Sequence, residues 1–245
     1  MSDYSLKRYI KSTLKLDSYK ADYRLNKLPS YLHETLIGLL LSDGSVERPS
    51  KTGGARLSVI LGFDTLPYLM HLYNLFEPFI DNHFSISEVN NRQTGNAHSI
   101  VRFRTCMSPI FVYYHNMFYK FDDELNRYVK IVPKDIDNLM TPVVLAHLIM
   151  GDGNLKKGDN IIRIYTNSFT KTEVEHLAFV ITNKLGIITK AVHDRKGQYM
   201  LTISKSQLDK VKSLIEPYMH PSMLYKLGIS AGQVGFNISN ILDKI

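Results

Sequence analysis

Two aspartates stand in matched surroundings in this 245-residue chain. Asp43 lies near the end of Leu36-Ile37-Gly38-Leu39-Leu40-Leu41-Ser42-Asp43-Gly44, and Asp152 near the end of Leu145-Ala146-His147-Leu148-Ile149-Met150-Gly151-Asp152-Gly153. They are 109 positions apart, close to half the chain. A single apolar helix ending in Asp-Gly is common and carries no function. Two at equivalent places suggest one element used twice. Gly38 and Ser42 are four residues apart and share a helix face, and Gly151 is a small residue at the matching late position. Two such helices can pack closely side by side and bring both aspartates to one end. Two carboxylates held together in a dry interface cannot both stay charged and unpaired. A divalent cation resolves that conflict. Mg²⁺ takes one or two carboxylates plus water and phosphate oxygens, and such a centre can activate water and stabilise a leaving oxygen in phosphodiester hydrolysis.

The elements that must position this pair follow the same order twice. Pro29-Ser30 opens the first helix, with Ser30 as the expected N-cap, and the helix is expected to run to Asp43, where Gly44 takes a left-handed conformation. A strand over 56–63, a helix over 65–79, strands near 83–90 and 98–105 and a helix over 108–120 complete the first half. Thr141-Pro142 starts the second helix with an N-cap followed by proline at the first helical position. Then come a strand over 161–167, a helix over 171–185, a hairpin of 188–195 and 198–204 turning at Lys196-Gly197, and a helix over 206–218. Each half thus has the order α-β-α-β-β-α. The arrangement implies two similar lobes facing each other across a pseudo-twofold axis. Strand alternation sets Arg102 and Arg104 opposite Val101 and Phe103, and sets Arg163, Tyr165 and Asn167 on one face.

Composition is that of a globular protein, 44% hydrophobic and 22% charged, which excludes a disordered chain. Lys+Arg 30 against Asp+Glu 23 gives +7, which favours a polyanionic partner. The basic residues 1–29, with seven Lys/Arg, are either a solvated face or an arm that touches phosphates. Cys106 is the only cysteine, so there is neither a disulfide framework nor a cysteine-based zinc site. No apolar run reaches the ~18 residues of a membrane span, and no signal peptide is evident. The histidines form no His-Glu-x-x-His pair, and there is no phosphate-binding glycine-rich loop.

The paired stretches at 36–44 and 145–153 resemble the double signature of the LAGLIDADG homing endonucleases, single-chain subgroup. The resemblance covers about residues 30 to 227. It implies an α+β fold of two αββαββα lobes joined through the paired helices, each with a curved antiparallel sheet. Units are expected at 1–29 (an N-terminal extension), 30–135 and 136–245. The implied activity is site-specific, Mg²⁺-dependent cleavage of both strands of a DNA target by a monomer, with Mn²⁺ able to substitute and Ca²⁺ supporting binding only. Asp43 and Asp152 carry over as metal ligands, with the backbone carbonyls of Ser42 and Gly151 supplementary. Lys130 and Lys226 match the family's basic residue near the end of each lobe, and Asn167 matches an amide at the end of a lobe's first strand. Residues 60–62, Ile-Leu-Gly, offer no such amide in the first half. His147 departs from the small residue expected in the second helix, so packing there must accommodate a ring. DNA contacts are expected from Arg56, Ser58, Arg102 and Arg104 in the first lobe. In the second they are expected from Arg163, Tyr165, Lys190, His193, Arg195, Gln198 and Thr202. The alternatives are an intron-RNA-binding maturase of the same fold and a cleavage-deficient DNA-binding protein. Family members encoded in organelles need no targeting signal, so an organellar, mitochondrial source is compatible with this chain.

Overall fold

A computed structural model describes residues 28–80, 83–90 and 97–230. The basic extension considered above as a phosphate-touching arm lies almost wholly outside the described residues. The order α1 (Ser30–Leu40), β1 (Gly44–Glu47), β2 (Arg56–Gly62), α2 (Leu66–Phe76), β3 (Ser85–Asn90), β4 (Ala97–Arg104) and α3 (Pro109–Phe118) builds the first lobe. A hairpin of β5 (Tyr119–Asp122) and β6 (Arg127–Lys130) and a short α4 (Ile136–Leu139) lead to the second. There the order repeats as α5 (Pro142–Asp152), β7 (Gly153–Lys156), β8 (Ile161–Tyr165), α6 (Lys171–Leu185), β9 (Thr189–His193), β10 (Tyr199–Ile203) and α7 (Leu208–Ile215). Both four-stranded sheets are antiparallel with the same strand order, β1-β2-β4-β3 and β7-β8-β10-β9. The pattern is αββαββα in each lobe, as the family resemblance implies. The simple count of elements missed β1 and β7, four-residue strands that follow directly on the two Asp-Gly ends.

Register explains which face of each sheet is wet. In β4 Val101 and Phe103 are buried while Arg102 and Arg104 point outward; in β8 Ile162 and Ile164 are buried while Arg163 and Tyr165 point outward. The inner faces, the helices α2 and α6 and the pair α1/α5 share one continuous apolar core that spans both lobes. The 196–197 hairpin turn forms as expected. Lys196 (φ 46°) and Gly197 (φ 77°) are both left-handed, and Gln198 N–H donates to Arg195 C=O at 2.8 Å.

Helix ends differ from expectation in three ways. Pro29, not Ser30, occupies the N-cap of α1, and the Ser30 hydroxyl donates instead to Glu34 Oε1 at 2.9 Å. The helix closes at Leu40, so Asp43 sits in the turn after it. Gly44 is not a left-handed cap: it begins a strand, as Gly153 does with φ −78°, ψ 148°. Their requirement for glycine is steric. A Cβ on Gly44 would lie 2.9 Å from Leu39 O, and one on Gly153 would lie 2.5 Å from Ile149 O. Thr141 caps α5 as expected, accepting from Val144 N–H, with Pro142 at the first position.

Candidate metal and nucleic-acid site

The site begins with how closely α1 and α5 can approach. Side chains between the two helices meet at matched positions, and at each level one partner gives up bulk. A Cβ on Gly38 would fall 2.6 Å from His147 Cβ and 2.7 Å from Val144 O. A Cβ on Gly151 would fall 2.4 Å from Ser42 Oγ and 3.3 Å from Asp43 Oδ2. The absent side chain of Gly38 is therefore the space His147 fills. His147 is fully buried, 0% exposed; its Nδ1 pairs with the Tyr68 hydroxyl at 2.8 Å and its Nε2 with Thr35 Oγ1 at 3.2 Å. Tyr68 also stacks on the ring. A neutral imidazole has one donor and one acceptor, and these two hydroxyls satisfy both. Burial first, and His71 second, hold its pKa down to about 3, so it is uncharged.

The same close approach delivers Asp43 and Asp152 to one crevice between the lobes. Both carboxyls carry raised pKa values. For Asp152, lost hydration and then Asp43 push it to about 7; for Asp43, lost hydration raises it against the pull of Lys226 and Lys130. Each also stands at the C-terminal end of a helix, Asp152 as the last residue of α5 and Asp43 in the turn after α1, where backbone carbonyls concentrate negative potential and a carboxylate has the wrong sign. Two lysines answer that field. Lys130 Nζ donates to Ser42 C=O (2.9 Å) and Gly44 C=O (2.8 Å); Lys226 Nζ donates to Met150 C=O (2.6 Å) and Gly151 C=O (2.5 Å). Each lysine holds the helix end of its own lobe yet feels the other lobe's aspartate most among the charges, Lys130 with Asp152 and Lys226 with Asp43. Burial brings Lys130 down to about 8 and lowers Lys226 as well. Lys130 reaches the site from the end of β6, on the hairpin that sequence reasoning missed. Lys226 reaches it from a 3₁₀ turn over Pro221–Leu227.

The donor set fits a hard divalent cation. Every group here that could ligate a cation is an oxygen: the carboxylates of Asp43, which is exposed, and Asp152, which is half-buried, and the helix-end carbonyls, with ammonium groups standing where positive charge is wanted. The carbonyls of Ser42 and Gly151 already accept from lysine, so a cation would share or take over their second lone pair. Among the described residues there is no group of three or more His, Cys, Asp or Glu side chains that could hold a metal.

β1 and β7 carry the chain from this crevice onto the outer faces of the sheets. Each face bears a hollow, one of about 380 Å³ at Arg56, Arg102 and Arg104, the other of about 310 Å³ at Arg163, Lys190 and Thr202. Most of the residues expected to contact DNA share these outward faces. Ser58 is the first exception: it lies on the outward side of β2 but is only 1% exposed, beneath its cross-strand neighbour Arg104. His193 is the second. It pairs with Tyr199, whereas Lys190 pairs with Thr202, so the His193 ring points to the opposite face of β9. Arg195 and Gln198 stand at the hairpin tip, and Tyr165 is exposed at the end of β8. Asn167 is exposed in the turn beyond β8, outside the strand whose face it was expected to share. Sequence reasoning missed Glu47, whose carboxylate accepts from Arg56 Nε at 2.8 Å and pairs with Arg104 at 3.2 Å. Its only signal is alternation: Glu47 lies opposite Arg56 once β1 is recognised as a strand.

Comparison with known proteins completes the assignment. Residues 33–211 match the LAGLIDADG DNA endonuclease family. The cytochrome b mRNA maturase bI2 of Saccharomyces cerevisiae is 27% identical over 199 residues, covering 79% of this chain but only 46% of that protein's length. Its namesake in Debaryomyces hansenii is 31% identical over 229 residues, 90% of this chain and 83% of its own. DNA endonuclease I-ChuI of Chlamydomonas applanata is 25% identical over 82% of this chain and 95% of its own. In fold, the homing endonuclease I-WcaI, solved bound to its DNA recognition sequence, superposes with a TM-score of 0.72 at 24% identity, over 82% of this chain and 87% of its own. The chain belongs to the LAGLIDADG DNA endonuclease family.

Proposed function

We propose that this protein is a site-specific, metal-dependent DNA endonuclease of the intron-homing type that acts as a monomer. The observation that carries the reading is the convergence of Asp43 and Asp152, one from each lobe, between Lys130 and Lys226. The outer sheet faces, with their arginines, would lie along the duplex and hold the backbone across the crevice. Asp43 and Asp152 would hold Mg²⁺, or Mn²⁺ in its place, with the carbonyls of Ser42 and Gly151 as further oxygens; Ca²⁺ would support binding only. The bound cation would supply Lewis-acid stabilisation of charge at the scissile phosphate. Lys130 and Lys226, already lowered by burial, are placed to give a hydrogen bond to an attacking water or to the phosphate. Asn167 has a supporting role at most, from its exposed turn.

The reading is tested by incubating the protein with a randomised duplex DNA library and Mg²⁺, then sequencing the ends produced. Double-strand breaks at one recurrent sequence, absent in EDTA, are expected; random or no cleavage would contradict it. A second reading, an intron-RNA maturase, is favoured by the relatives named as cytochrome b mRNA maturases, which also support an organellar origin. Intron RNA that is spliced only when the protein is added would establish that activity, beside cleavage or in place of it.

A further inference from the structure

The two outer faces can be compared position by position, because the sheets have the same register. Ser58 lies between Ser45 and Arg104, and Arg163 lies between Asn154 and Thr202, so Ser58 and Arg163 occupy equivalent places. The same pairing matches Arg56 with Ile161, Arg102 with Met200, Arg104 with Thr202, and Ser85 with Val192. The lobes are thus alike in backbone and unlike in chemistry. Where the first has three guanidinium groups, the second has isoleucine, methionine and threonine.

The first hollow is a tethered array of donors. Glu47 fixes Arg56 and Arg104, and its own equivalent in the second lobe is Lys156, so no such tether exists there. Arg102 lies on the same face, pairs with no acid among the described residues, has its Nε buried without a partner, and lines the hollow, where a planar guanidinium can serve as a fork of donors. Such a fork matches the O6 and N7 acceptors of guanine in the major groove. The second hollow has an apolar floor of Ile161, Val192 and Met200, flanked by Arg163, Lys190 and Thr202. Aliphatic and threonine methyl groups on a groove-facing surface match the 5-methyl of thymine, while Arg163 and Lys190 are left for phosphates.

We infer that the two lobes read chemically different half-sites: the N-terminal lobe reads guanine through Arg102 and its Glu47-tethered neighbours, and the C-terminal lobe reads thymine methyl groups through Ile161, Val192, Met200 and Thr202. The inference rests on the proposed DNA-binding function and adds the base chemistry and its polarity along the target.

The experiment selects duplexes from a randomised library by binding to the full chain in EDTA, where no divalent cation is available for cleavage. The selected site is then rebuilt one half at a time with deoxyuridine for thymidine or 7-deazaguanine for guanine. Selection with Arg102→Lys identifies the half contacted by the first lobe, because the preference is expected to relax at one guanine there and nowhere else. Deoxyuridine in the other half should weaken binding about fourfold for each contacted methyl, and by less than twofold in the Arg102 half. Loss of guanine N7 should weaken binding about fivefold or more in the Arg102 half and little in the other. Specific binding with equal responses in both halves, or with none, overturns the inference and leaves the DNA-binding reading standing. Failure to select any duplex overturns both.

Discussion

The two central helices come from one repeated pattern, yet they are not interchangeable. Matched positions meet each other across the pseudo-twofold axis, so a perfectly symmetric pair would have to place identical side chains in contact. This chain instead uses complementary pairs, Gly38 against His147 and Ser42 against Gly151. Below those contacts the halves become alike again. Each helix end is held by a lysine from its own lobe, and each presents one aspartate. A single chain can break symmetry where packing benefits and keep it where the chemistry needs two equivalent ligands. A dimer of identical chains has no such freedom.

Perturbing one half at a time tests how far that division holds. Leaving the aspartates aside, the largest effect should come from the lysines. Lys130→Met and Lys226→Met are each expected to lower the cleavage rate by about 100-fold or more in single-turnover assays; a large loss for only one would mean the two are not functional counterparts. Next is Gly38→Ala, which drives a methyl into His147 Cβ and into Val144 O, a backbone atom that cannot swing away. Unfolding in urea should show a loss of about 2–3 kcal/mol. Gly62→Ala, where nothing lies within 4 Å, should be near neutral.

His147 gives the pair a pH signature. Its pKa is about 3 in the folded state and about 6.5 when unfolded, so below pH 6.5 the unfolded chain takes up a proton that the folded chain refuses. Its stabilising contribution is complete above pH 6.5 and is lost as pH falls toward 3, at up to about 1.4 kcal/mol per pH unit. The cost of His147→Gln should therefore be greatest near neutrality and shrink on acidification; a pH-independent cost would contradict a buried neutral ring. The smallest contrast lies at the helix starts. Thr141→Ala removes a cap and a hydroxyl that donates to Glu34 Oε2, and should cost about 1 kcal/mol. Ser30→Ala removes only an exposed bond within α1 and should cost almost nothing.

Much of this arrangement is legible in the chain. The aspartates, the close-packing glycines and the outward arginines follow from helical and strand periods, which local side-chain chemistry sets. What escapes is non-local. β1 and β7 are four-residue strands, GSVE and GNLK, too short for a two-residue period to stand out, and only pairing with β2 and β8 defines them. Ser58 lies on the expected side, but cross-strand neighbours cover it. His193 and Lys190 are three residues apart along one strand, which puts them on opposite faces, so the two cannot both be groove contacts of the outward face. The partner of His147 could not be read from α5 alone, because Tyr68 and Thr35 belong to the other lobe.

The proposed function depends most on Asp43 and Asp152 forming one site to which both lobes contribute. It is tested most directly by strand-resolved cleavage of the selected target in Mg²⁺ by Asp152→Asn, with DNA binding measured in parallel. Retained binding and loss of cleavage on both strands are expected. Cleavage of either strand at the unmodified rate would contradict it.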